Sequence, residues 1–171
     1  MSSSAMSSPP SVTAPGVDRE FIIDDGGRAA SGRHGDSGDC VVRAIALAGR
    51  MDYDFVYKAL ADASAAITNP LRNSKPGRRT ARDGNAPSIV GPVLQSWGWT
   101  DHSVPRGAHV GVLGELPDVS AMVVGVSGHW LAIVDGVVRD TWDSRLTRKR
   151  TGQLPLVARY LWLPPGVAAE L

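Results

Sequence analysis

The chain holds one cysteine, Cys40, within the stretch GDSGDCVVRAIALAGR (35–50). Turn-forming residues precede it and an almost wholly apolar run follows, which places the thiol at the first turn of a helix. A thiolate is the attacking form of cysteine, and a free thiol with a pKa of ~8.5 is mostly protonated at neutral pH. The unpaired N–H groups and partial positive charge of a helix N-terminus favour the anion. An imidazole in contact can take the thiol proton and later deliver it to a leaving amine. A carboxylate or amide behind the ring fixes its tautomer and orientation. Backbone N–H groups at the cysteine can then hold the oxyanion of a tetrahedral intermediate. Asp39 opposes this scheme, because a neighbouring carboxylate disfavours a second negative charge unless its side chain turns into a cap.

The imidazole and the carboxylate have specific candidates. Asp135-Gly136 separates the runs HWLAIV and VVRDTW and is a strong two-residue hairpin signal. With the turn there, Val134 faces Val137, Ile133 faces Val138, Leu131 faces Asp140 and His129 faces Trp142. Side chains alternate along a strand, so His129, Leu131, Ile133, Val138, Asp140 and Trp142 share a face. His129 and Asp140 are then diagonal neighbours, roughly 7–8 Å apart at the backbone. An aspartate on an apolar face needs a partner, and His129 is the nearest. Asp143 points the other way and is the weaker candidate. Trp130 falls on the face opposite His129 and is not assigned to the site.

The elements that must carry these residues are legible in outline. Ser37 or Asp39 caps the first helix, in which Val41, Val42, Ile45, Ala46, Leu47 and Ala48 are apolar on nearly every side, and Gly49 ends it. Phe55, Val56, Ala59, Leu60 and Ala63 form a helical stripe over about 54–65. A third helix is expected from Pro87 to Trp97. EFIID reads as a short first strand or extended segment, and DDGGRAASGRHGDSGD as a long loop. SAMVVGVS, HWLAIV, VVRDTW and LVARYLWL then read as strands of an antiparallel sheet. Helices followed by strands predict an α+β domain over 19–171, behind a disordered Ser- and Pro-rich leader at 1–18.

Composition narrows the function. The 171 residues are enough for one domain with a core, and 43% are hydrophobic. A formal net charge of +1 argues against bulk binding to nucleic acid or membrane. The basic stretch with Arg72, Lys75, Arg78, Arg79 and Arg82 lacks interleaved aromatics and is expected to be a solvated loop, a weak candidate surface for nucleic acid or an acidic partner. A lone cysteine forms no internal disulfide, and no Cys/His cluster suggests a metal or other cofactor. No apolar run approaches the ~20 residues of a membrane span. The N-terminus does not read as a signal peptide, so a cytoplasmic setting is expected. GVSGH around Ser127 does not satisfy the G-x-S-x-G nucleophile elbow.

The order of a cysteine at a helix start, a histidine on a strand and an acid on the next strand resembles the papain-like cysteine peptidase superfamily. DTW (Asp140, Thr141, Trp142) stands where papain-type enzymes carry Asn-Ser-Trp, whose first residue orients the histidine and whose tryptophan shields the pair. GDCVVRAIA is similar to the cysteine motif of ovarian-tumour-type deubiquitinases, and DCVVRAIA and DGVVRDTWDS are similar to segments of small papain-like proteins of tailed bacteriophages. The resemblance implies a papain-like fold with the Cys40 helix on the sheet. It also implies a Cys40-His129-Asp140 triad acting on a protein or peptide without a cofactor, in the host cytoplasm if the chain is viral. Papain-type enzymes place a glutamine six residues before the cysteine, where this chain has His34, and the ovarian-tumour type has an aspartate where this chain has Ser37. Asp39, Ser37 and His34 are therefore the candidates around the oxyanion.

Each residue also has a structural reading. Cys40 can be an inert member of an apolar helix, His129 a satisfied core histidine, and Asp140 a strand-end residue. Arg43 is expected to pair with a loop carboxylate such as Asp36 or Asp39. The preferred function is thiol-dependent hydrolysis of a peptide or isopeptide bond. The alternatives are a non-catalytic binding or structural module of a phage, and an acyl transferase or amidase with the same triad.

Overall fold

The computed structural model describes residues 17–34, 37–66, 81–82, 84–147 and 154–167. Among these, three helices and six strands follow the order β1 (Phe21–Ile23), α1 (Cys40–Gly49), α2 (Tyr53–Ala66), α3 (Pro87–Ser96), β2 (Thr100–His102), β3 (Ala121–Val126), β4 (His129–Val134), β5 (Val137–Asp140) and β6 (Tyr160–Leu163). The strands form one sheet in the order β1-β5-β4-β3-β6-β2. The protein is thus a mixed α and β domain.

The sheet itself is mixed, which corrects the expected antiparallel one. β3, β4, β5 and β6 pair antiparallel with their neighbours, but β1 adds to the outer edge of β5 in parallel, with Ile23 opposite Asp140. Parallel neighbours need a long crossover. The chain between β1 and β5 contains all three helices, so β1 is fixed by a partner more than a hundred residues downstream. β2 has only three residues, without an apolar pattern, and pairs with β6.

Both faces of the sheet are covered. Val41, Ile45, Val56, Leu60, Val90 and Leu94 of the helices pack with Ala121, Val123, Trp130, Ala132, Val134 and Trp162. On the other face, Ala108, Val110, Leu116 and Val119 of the segment after β2 cover Met122, Val124, Leu131, Ile133, Val138 and Leu161. All six residues of β3 are therefore buried, as a strand enclosed on both sides requires.

The hairpin between β4 and β5 has the expected register, with Val134 opposite Val137 and Ile133 opposite Val138. Asp135 and Gly136 both adopt positive φ, 52° and 77°, as a type I′ turn demands. α1 begins at Cys40 and closes with Arg50 in the left-handed region, its N–H bonded back to Leu47. Ordered contacts are already in place at Val17, which is 4% exposed, and at Asp18, whose N–H donates to Gly111. Of the basic stretch, Arg72, Lys75, Arg78 and Arg79 lie outside the described residues, and Arg82 is exposed. Among the described residues no helix is long and apolar enough to cross a membrane.

Candidate active site

Three element ends meet. Cys40 is the first residue of α1, His129 the first of β4 and Asp140 the last of β5. Residues inside the elements bury their side chains in one of the two cores. Cys40 and His129, at the ends, face a groove of about 1210 Å³ that Trp130, Thr141 and Trp142 also help to line, and Asp140 lies buried behind the ring. Cys40 is half-buried, with the rest of its helix packed beneath it.

His129 donates from Nε2 to Oδ2 of Asp140 at 2.5 Å, and the ring shares its groove with Cys40. The bond to Asp140 occupies Nε2, so Nδ1 is the ring nitrogen left for another partner. Asp140 is 4% exposed. Its second oxygen accepts the N–H of Thr141 at 2.7 Å, so the carboxylate is held from both sides. Burial alone pulls the imidazole down. The hydrogen bond to Asp140 and the influence of Asp140 and Cys40 outweigh it and push His129 up from 6.5 to about 9, which favours the protonated ring. Trp142 lies over it, with ring centroids 5.0 Å apart and planes tilted by 47°.

Asp39 is the N-cap residue of α1, but its side chain makes no capping hydrogen bond. Its carboxylate is 2% exposed and lies against two cations and a phenol. Nε of Arg28 lies 2.9 Å from Oδ2, and Nε of Arg43 lies 3.1 Å from Oδ1. Both contacts are out of line for a hydrogen bond and act through charge. The Tyr53 hydroxyl donates to Oδ2. Burial and this bond raise the Tyr53 phenol well above its ordinary value, so it remains a donor. The negative charge that seemed to oppose Cys40 is thus offset by two cations. Arg43 has the expected partner in Asp39.

No family model, no curated protein and no solved structure matches this chain. The chemistry of the site rests on its own geometry.

Of the oxyanion candidates, Ser37 and Asp39 line the groove and His34 does not. Ser37 Oγ is buried and has no hydrogen-bond partner among the described residues, which leaves a donor free. Asp39 can contribute only its backbone N–H, because its carboxylate accepts and is engaged. The His34 carbonyl accepts from Arg28, which makes that residue a support for the Arg28 loop. Asp143 is engaged by Arg145 at 2.8 Å, and that hydrogen bonding holds its carboxyl below the usual range. It takes no part in the triad geometry.

Trp130 requires a correction. Alternation put it on the face away from His129, and it is there, but that face is the one α1 packs against. Trp130 consequently lines the groove beside Cys40 and stacks on Tyr160, with ring centroids 5.8 Å apart and planes 4° from parallel. Gly125 lies under the Tyr160 ring, where a Cβ would come within 2.8 Å of it. Arg28, Tyr53 and Tyr160 were missed as site residues. For Arg28 and Tyr53 the one sequence signal was that a buried Asp39 must find cations and donors, and nothing in the sequence marked Tyr160.

Proposed function

We infer that the protein is a thiol-dependent hydrolase of amide bonds in peptides or isopeptides, with a papain-like arrangement of Cys40, His129 and Asp140. The observation that carries this reading is the His129 ring held between Cys40 and a buried, doubly anchored Asp140 in an open groove. An imidazolium in contact with a sulfur favours the sulfur anion.

In the proposed reaction the Cys40 sulfur attacks the substrate carbonyl carbon, forming an S–C bond. The carbonyl oxygen becomes an oxyanion, opposite the N–H groups at the head of α1. His129 gives the proton it holds to the amide nitrogen, the C–N bond breaks and the amine leaves. Water then attacks the thioester carbon, its proton passes to His129, and the S–C bond breaks to release the acid. Asp140 keeps the ring aimed throughout and is not itself protonated.

Intact-protein mass spectrometry with peptide thioesters tests this reading. The expected result is an acyl adduct on Cys40 that turns over, absent in His129→Ala. A native protein that acquires no adduct, and whose cysteine labels only after denaturation, supports a binding module on the same fold. An adduct that leaves to an added amine in preference to water supports an acyl transferase.

A further inference from the structure

Arg43 lies one turn after Cys40 on α1, and its side chain is 9% exposed. Its guanidinium spans from the helix layer to the sheet. Nε lies 3.1 Å from Oδ1 of Asp39. Nη1 lies 3.8 Å from Oδ1 of Asp140 and donates to the hydroxyl of Thr141. The Thr141 N–H in turn donates to the same Asp140 oxygen. One planar cation therefore joins the residue before the cysteine to the carboxylate behind the histidine.

We propose that Arg43 is a positioning residue of the triad, clamping Asp140 to the helix that carries Cys40 so that Oδ2 faces His129. The proposal rests on the triad reading of Cys40, His129 and Asp140. Cys40 and Asp140 belong to different layers of the fold, and the guanidinium bridges them directly. A rigid fork suits this task, because it can meet Asp39 at one side and Thr141 and Asp140 at the other. A lysine has the charge but a single point of contact.

The charged and titratable groups around Arg43 are accounted for. Asp39 and Cys40 come from its own helix end, Arg28 from the loop after β1, Tyr53 from α2, His129 from β4 and Asp140 from β5. Without Arg43, Asp39 keeps Arg28 and Tyr53. Asp140 keeps only the Thr141 N–H on Oδ1 and gains freedom to swing. A carboxylate that swings stabilises the imidazolium less, so the His129 midpoint falls.

The test follows the His129 ring by NMR, its signals assigned by their loss in His129→Gln, in the native chain and in Arg43→Met and Arg43→Lys. The pH profile of Cys40 alkylation by iodoacetamide is recorded beside it. Arg43→Met is expected to lower the His129 midpoint by ~1 unit or more, with the alkylation profile shifting alongside. Arg43→Lys is expected to recover part of that shift. A midpoint unchanged or raised in folded Arg43→Met, as loss of a nearby cation alone would give, overturns the proposal. If Arg43→Met does not fold, Thr141→Val removes the acceptor that seats Nη1 and keeps the cation. A fall in the midpoint then supports the clamp, and no change overturns it. A native Cys40 that reacts no faster than free cysteine defeats the thiol reading instead, and the His129 midpoint still judges Arg43.

Discussion

Nε2 of His129 lies 2.5 Å from Oδ2 of Asp140, across two strands that begin and end at these residues. The contact fixes which ring nitrogen is left for the sulfur. It also explains why a buried carboxylate is tolerated at the end of a strand whose other buried residue, Val138, is apolar.

The pairing of sulfur and imidazolium should be visible in reactivity. In the native protein Cys40 is expected to react with iodoacetamide faster than free cysteine at pH ~6, where an unassisted thiol is almost fully protonated. His129→Ala should abolish the excess without preventing alkylation. Second-order rate constants measured across pH decide this, and labelling that needs denaturant would contradict it.

Asp140 should matter through orientation as well as charge. Asp140→Ala is expected to slow turnover of any substrate found by acyl-enzyme trapping by roughly 100-fold, of the order expected when acid–base catalysis is disabled. Asp140→Asn keeps an acceptor oxygen for Nε2–H and should lose less at low pH than Asp140→Ala. Equal loss in both would make charge, and not alignment, the dominant contribution.

Stability should decline at alkaline pH. The folded imidazole titrates at about 9, above its ordinary 6.5, so the folded state holds the proton more tightly than the unfolded chain. The resulting stabilisation is complete below about 6.5 and is lost as pH rises through about 9. Its size is of order 3 kcal/mol. Thermal unfolding from pH 6 to 10 should show the decline, and a His129→Gln variant should show a flatter profile over the same interval.

Tyr53→Phe removes the hydroxyl that donates to buried Asp39. The cost expected is about 1–3 kcal/mol, because the carboxylate loses a donor it cannot replace with water. Chemical denaturation gives the difference. Cys40 reactivity should change little, since Arg28 and Arg43 still face the carboxylate.

The aromatic floor of the groove should depend on Gly125. A methyl group there would come within 2.8 Å of the Tyr160 ring and displace it from Trp130. Gly125→Ala is therefore expected to alter the relative rates at which aromatic and small chloroacetamides alkylate Cys40, with far smaller effect on iodoacetamide. Unchanged selectivity would mean that ligands bypass the Trp130–Tyr160 stack.

Local signals carried much of this structure. The apolar run after Cys40 marked α1, and Asp135-Gly136 set the hairpin register that brings His129 to Asp140. Non-local pairings were hidden. β1 and β2 are three residues long, and their partners lie far along the chain, so nothing in their own pattern reveals a parallel edge or a place beside β6. Trp130 was set aside by a correct alternation argument that did not know which face the helices cover. Asp39 looked harmful even with Arg43 expected beside it, because Arg28 and the Tyr53 hydroxyl reach it only through folding.

The hairpin of β4 and β5 is one unbroken stretch, whereas the sulfur arrives from a distant part of the chain. The histidine and the aspartate share one hairpin, and only the seating of α1 brings the thiol to them. Anything that unseats that helix would switch the site off while leaving the other two partners in place.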